Sequence, residues 1–233
     1  MQEPRERLIV ALDVPTTAAA NKIVAAVDHS AGTYKVGMQL FTAEGPPIVR
    51  ALVSAQHRVF LDLKYHDIPN TVASAVRSAA ALGVHMLTVH ASGGGKMLRA
   101  AVEAGRETNP ALKILAVTVL TSMNDDELNR IGVRGLALDQ VLRLAATAIN
   151  SGCQGIVASA HEATELRREL GHDFLIVTPG VRPAGADIGD QARVATPAEA
   201  IAAGATHIVV GRPITGAEDP AFAARAILGE LAA

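Results

Sequence analysis

The chain has no tryptophan, one cysteine, and aromatic residues at only 3% of its 233 positions. Each scarcity removes a class of function. Few aromatic rings leave little surface on which nucleic-acid bases could stack. A formal net charge of -2 argues equally against a general affinity for nucleic acid or for an anionic membrane. A lone Cys153 forms no disulfide within the chain and builds no cysteine-rich metal site, which fits a reducing, cytoplasmic setting. No run approaches the roughly 20 apolar residues of a membrane helix. The opening residues mix acidic with basic side chains ahead of a short apolar run at 8–12, unlike a secretory signal.

What is present is apolar and evenly spread. Hydrophobic residues make up 49% and charged residues 19%, the balance of an enzyme with a core large enough to need no staples. Runs rich in Val, Ile and Leu predict strands at 8–12, 33–37, 58–63, 85–89, 113–119, 155–159, 174–178 and 207–211. Most show little alternation, as strands buried on both faces do. Alanine-rich amphipathic stretches between them predict helices at 16–27, 43–55, 69–82, 96–107, 138–151 and 162–170. Pro69 marks one helix start and Thr196-Pro197 another. Gly83, Gly152, Gly171 and Gly204 read as helix stops. The longest irregular connection falls at 120–135. No linker or shift in composition divides the chain, so residues 1–233 read as one domain. Alternating strands and helices predict an α/β fold, a (β/α)8 TIM barrel, with an open doubly wound sheet as the competitor.

Polar residues gather where barrel chemistry is found. Asp62 and Lys64 lie two apart on the third strand and share a face. Leu61 and Leu63 then face the helices, and the charged pair faces inward at the carboxyl-terminal mouth. Asp67 follows in the loop. Asp13 ends the first strand, and Lys35 sits inside the apolar second strand, where it calls for a partner. The bland alternative is a set of surface ion pairs. Strands seven and eight run into Thr178-Pro179-Gly180-Val181-Arg182 and Val209-Val210-Gly211-Arg212-Pro213. Loops at these two positions commonly hold phosphate, glycine lets backbone N–H groups approach it, and arginine grips it through paired hydrogen bonds.

Other motifs read as structural. Gly93-Gly94-Gly95-Lys96 has part of a P-loop's composition, but Met97 stands where Ser or Thr is needed, so it reads as a turn and helix start. His66, His90 and His161 lack partners at ligand spacing and read as hydrogen-bonded structural residues, so no metal site is expected. No Gly-x-Gly-x-x-Gly occurs.

The constellation as a whole resembles the bacterial orotidine 5′-monophosphate decarboxylase family. The matching pieces are Ala11-Leu12-Asp13, Lys35-Val36-Gly37-Met38, the block Asp62-Leu63-Lys64-Tyr65-His66-Asp67-Ile68-Pro69, Val119-Leu120-Thr121-Ser122, and the two arginine loops. They follow the family's order and span nearly the whole chain. The Asp-x-Lys-x-x-Asp core belongs to a wider superfamily. The resemblance implies conversion of orotidine 5′-monophosphate to uridine 5′-monophosphate and CO2, in pyrimidine biosynthesis, without a cofactor.

It also implies roles. Lys64 donates a proton to pyrimidine C6, and Asp62 lies beside the departing carboxylate. Lys35 and Asp67 complete a charged tetrad, with Asp67 supplied by the neighbour in a homodimer. Asp13, Lys35, Asp67 and Thr71 contact ribose, Thr121 with Ser122 reads the pyrimidine, and Arg182, Gln191, Gly211 and Arg212 hold phosphate. A short lid is expected at 183–190. Three rivals stay open: a metal-dependent sugar-phosphate decarboxylase or aldolase of the same superfamily, a phosphate-binding isomerase or epimerase, and a catalytically silent nucleotide sensor.

Overall fold

The computed structural model describes residues 3–183 and 195–232. Eight strands run parallel: β1 (Leu8–Ala11), β2 (Thr33–Gly37), β3 (Val59–Tyr65), β4 (Met86–His90), β5 (Lys113–Val117), β6 (Gly155–Val157), β7 (Leu175–Thr178) and β8 (His207–Val210). They pair in sequence order, and β8 closes back onto β1. The fold is the expected (β/α)8 barrel, and each strand falls where the apolar runs predicted it. Among the described residues no helix is long and apolar enough to cross a membrane.

Two apolar layers account for the lack of alternation in the strands. Ile9, Ala11, Phe60, Met86, Leu115, Val177 and Val209 fill the barrel interior. Leu8, Val10, Val36, Leu61, Leu87, Ile114, Ile156, Ile176 and Ile208 point the other way, into the layer between strands and helices. Both faces are buried, so both are apolar.

Two connections differ from expectation. The helix expected at 43–55 is two helices, Met38–Glu44 and Pro46–Ser54. Gly45 between them takes φ +65, and Pro46 and Pro47 lack the N–H groups needed to continue the first helix. The stretch at 120–135 is not irregular throughout. Asn124 caps a helix at Asp125–Arg130: its side chain accepts from the Glu127 N–H, and the Glu127 carboxylate accepts from the Asn124 N–H. The cap expected at Thr196 is present, with its hydroxyl accepting from the Glu199 N–H.

A further irregularity lies in β3. Phe60 and Leu61 pair with Met86 and Leu87, but the next matched pair is Tyr65 with Val89. The intervening residues Asp62, Leu63 and Lys64 oppose the single residue Thr88. This bulge bends the strand end and sets the direction of its side chains. Lys64 takes φ +52 there, a left-handed conformation that a residue with a Cβ adopts only when its surroundings hold it.

Candidate active site

A cavity of about 400 Å³ sits at the carboxyl-terminal ends of the strands, above the apolar plug. Its walls divide by chemistry. β2, β3 and the loop after β1 contribute Asp13, Lys35, Asp62 and Lys64. The opposite side is apolar, with Val117, Val119, Leu120 and Val157. The loops after β7 and β8 bring Pro179, Gly180, Arg182, Gly211 and Arg212 to the same space, and Thr121 lines it beside Leu120.

The charged wall is a connected network. The Lys64 ammonium donates to both carboxylate oxygens of Asp62, at 2.9 Å each. Lys35 donates to Asp13 Oδ1 at 2.9 Å, and its Nζ lies 3.7 Å from Asp62 Oδ2. Gly37 makes room for this: a Cβ there would come within 3.0 Å of both Asp13 Oδ1 and Lys35 Nζ. Thr88, fully buried on β4, donates its hydroxyl proton to Asp62 Oδ1 at 2.9 Å. Burial alone would raise the Asp62 carboxyl. The Lys64 and Lys35 charges, with hydrogen bonds from Lys64 and Thr88, outweigh it and hold the group below the usual carboxylate value. Asp62 is therefore ionised at neutral pH in a site largely removed from water.

His66 and His90 stand close to this wall. Their ring centroids lie 5.4 Å apart, with the planes tilted at 41°. Burial pushes His90 down, and the His66 and Lys64 charges add to that against the pull of Asp62. Among the described residues no group of three or more His, Cys, Asp or Glu side chains is placed to hold a metal ion.

The structure thus brings Asp13, Lys35, Asp62, Lys64, Thr121, Arg182, Gly211 and Arg212 around one cavity. Asp67, Thr71 and Ser122 are exposed and do not line it. The Asp67 carboxylate accepts from its neighbour's N–H at Ile68 instead. Gln191 and residues 184–190 of the expected lid lie outside the described residues. Thr88 was missed by the sequence reading. Its only signal is a polar residue at an inward position of a mostly apolar strand.

A parallel barrel whose mouth carries two lysines threaded between carboxylates, facing two glycine–arginine loops, defines a barrel enzyme acting on a small anionic substrate. The comparisons with known proteins narrow this. The family model described as Orotidine 5'-phosphate decarboxylase / HUMPS matches residues 6–227. The orotidine 5'-phosphate decarboxylase of Anaeromyxobacter sp. (strain K) is 55% identical over 229 residues, covering 98% of this chain and 100% of that protein. The one from Moorella thermoacetica is 52% identical over 233 residues, covering 97% and 92%. The crystal structure of orotidine 5'-phosphate decarboxylase from Lactobacillus acidophilus superposes with a TM-score of 0.87 at 42% identity, covering 97% of this chain and 99% of that one. The chain belongs to the orotidine 5'-phosphate decarboxylase / HUMPS family.

Proposed function

We propose that this enzyme decarboxylates orotidine 5′-monophosphate to uridine 5′-monophosphate and CO2, with Lys64 protonating C6. The observation that carries the reading is the Lys64 ammonium held against ionised Asp62 at the mouth of the barrel. The relatives at 50–55% identity bear the matching name.

The chemistry sets the demand. When the bond from C6 to the carboxylate breaks, the electron pair stays on C6, in the plane of the ring, where the pyrimidine π system does not delocalise it. Fixed charge aimed at that atom must stabilise it. Lys64 is an ammonium within reach of such a charge. Its proton moves to C6, leaving a neutral amine that solvent recharges. Asp62 holds the lysine in line and lies on the side from which the carboxylate departs. Lys35 and Asp13 fix the far edge of the network and present donors and acceptors to the ribose hydroxyls. Thr121, with Ser122 beside it in sequence, reads the pyrimidine edge.

Arg182, Gly211, Arg212 and Gln191 take the phosphate. Binding energy gathered there, far from the reacting bond, is used to hold the base against Lys64. Barrier reductions of about 23 kcal/mol mark the upper range for most enzymes, and a reaction this demanding draws on both the charge network and the phosphate grip.

Asp67 and Thr71 serve the neighbouring subunit's site in a two-fold homodimer. The exposed apolar side chain of Ile68, next to Asp67 in sequence and 68% exposed, supports this. The enzyme works in the cytoplasm, where its single buried thiol stays reduced. Residues 1–233 act as one domain.

The test is purified protein with orotidine 5′-monophosphate, followed by loss of substrate absorbance and release of CO2, with and without excess chelator. Full conversion in chelator is expected, because the charge that meets the carbanion comes from lysine. Activity lost in chelator and restored by a divalent metal would favour the metal-dependent rival, which stabilises an enediolate instead.

A further inference from the structure

We infer that Thr88 is a positioning residue for the decarboxylation, a single hydroxyl that locks both members of the Asp62–Lys64 pair into their reactive arrangement. The inference rests on the reading of Asp62 and Lys64 as the reacting pair.

Between the Leu61–Leu87 and Tyr65–Val89 pairs, the β3 backbone has more residues than β4 can match. Amide groups inside such a bulge lose their ladder partners and must be satisfied in another way. The Lys64 N–H is one of these. It donates to Thr88 Oγ1 at 2.9 Å, so a side chain replaces the missing strand carbonyl. The same oxygen carries the proton given to Asp62 Oδ1 at 2.9 Å. A hydroxyl is suited to this place because it donates one proton and accepts at its lone pairs.

Each bond has a separate consequence. The bond to the Lys64 N–H holds a residue at φ +52, a conformation that costs energy for any side chain with a Cβ. That backbone twist determines where Nζ emerges. The bond to Asp62 Oδ1 fixes the rotation of the carboxylate, so that both its oxygens face Lys64 Nζ. Thr88 is fully buried and β-branched, so its own rotamer is restricted. The clamp is rigid, and Thr88 itself does not line the cavity. A residue placed this way should affect turnover much more than binding, because phosphate, ribose and base contacts come from other elements.

The experiment compares Thr88→Val, Thr88→Ser, Thr88→Ala and Lys64→Ala. Valine keeps the shape and removes the hydroxyl. Expected for Thr88→Val is a kcat roughly 10–100-fold lower, with affinity for uridine 5′-monophosphate within about threefold of the parent. Thr88→Ser should recover most of the lost turnover. If Thr88→Val fails to fold, the Ser and Ala variants, both lacking the methyl group, isolate the hydroxyl: Ser must exceed Ala by the same ratio.

A parental kcat in Thr88→Val would overturn the inference. So would a Ser variant no better than Ala, or a parallel loss of turnover and product affinity. Lys64→Ala separates this from the site reading. Near-parental turnover in Lys64→Ala defeats the pair itself, whereas an inactive Lys64→Ala beside a fully active Thr88→Val defeats only the clamp.

Discussion

Lys64 Nζ lies 2.9 Å from each carboxylate oxygen of Asp62, and both side chains come from the same bulged end of β3. The two charges sit in a half-buried setting, where a hydrogen-bonded ion pair holds its geometry better than on an open surface. Lys64→Ala removes the proton source for C6 and leaves Asp62 without its nearest cation. Turnover of orotidine 5′-monophosphate should fall to near background. Uridine 5′-monophosphate should still bind, since the arginine loops and Thr121 are untouched, and calorimetric titration of the variant checks this. A variant turning over near the parental rate would remove Lys64 from the role of proton donor.

Arg212 follows β8 and lines the cavity together with Gly211. Arg212→Ala should weaken phosphorylated substrate by on the order of 2–5 kcal/mol in kcat/KM, the range for truncating one partner of a charge-assisted pair. The slow reaction of the nucleoside without phosphate should barely change. Measuring kcat/KM for both compounds decides the matter, and equal losses would place Arg212 outside the phosphate site.

How far the sequence could be read depended on which forces act locally. The inward and outward split of β3 was legible from alternation alone. Leu61 and Leu63 do join the layer beneath the helices, and Asp62 and Lys64 do line the cavity. The break at Gly45 was missed even though Pro46 and Pro47 announce it, because an apolar pattern runs on across it. The helix after Asn124 was missed because its acidic first turn looked like a loop. The bulge was not legible. Its register is set by how β3 meets β4, a contact between residues more than twenty positions apart. For the same reason Thr88 looked like an ordinary strand threonine. Asp67 was legible only as a further carboxylate after the Asp62–Lys64 pair, Thr71 carried no local signal, and only the family resemblance placed either in a neighbour's site or on the ribose.

The opposite end of the barrel holds a second titratable cluster, and it predicts a pH dependence of stability. His85 and His207 are both pushed down to about 4, first by burial and then by positive neighbours that include Lys113 and Arg58. The folded state therefore resists protonating histidines whose ordinary value is 6.5. A depressed folded value means that the stabilisation is fully present above pH 6.5 and is lost as the pH falls through about 4. The loss attributable to His207 is roughly 2–3 kcal/mol across that window. Urea midpoints should be level from pH 8 to 7 and decline below, and His207→Asn should flatten the decline whatever its effect at neutral pH. Asp62 destabilises on protonation too, but in the lower window below its usual 3.8. A midpoint that stays constant down to pH 4 would rule out the histidine contribution.

Asp67 is exposed in its own subunit and does not line that subunit's cavity. A two-fold dimer would trade such residues reciprocally, so each site would combine Asp62 and Lys64 from one subunit with Asp67 from the other. Lys64→Ala and Asp67→Ala should each be nearly inactive alone. When the two are dissociated, mixed equally and reassembled, random pairing makes about half of the dimers hybrid. In a hybrid, one site carries both lesions and the other carries neither. About a quarter of native activity should therefore return. If Asp67 serves its own subunit instead, every site keeps one lesion and the mixture stays inactive. Subunit exchange is followed independently with a tagged chain, so that an inactive but fully exchanged mixture rejects the shared site while leaving the roles of Asp62 and Lys64 intact.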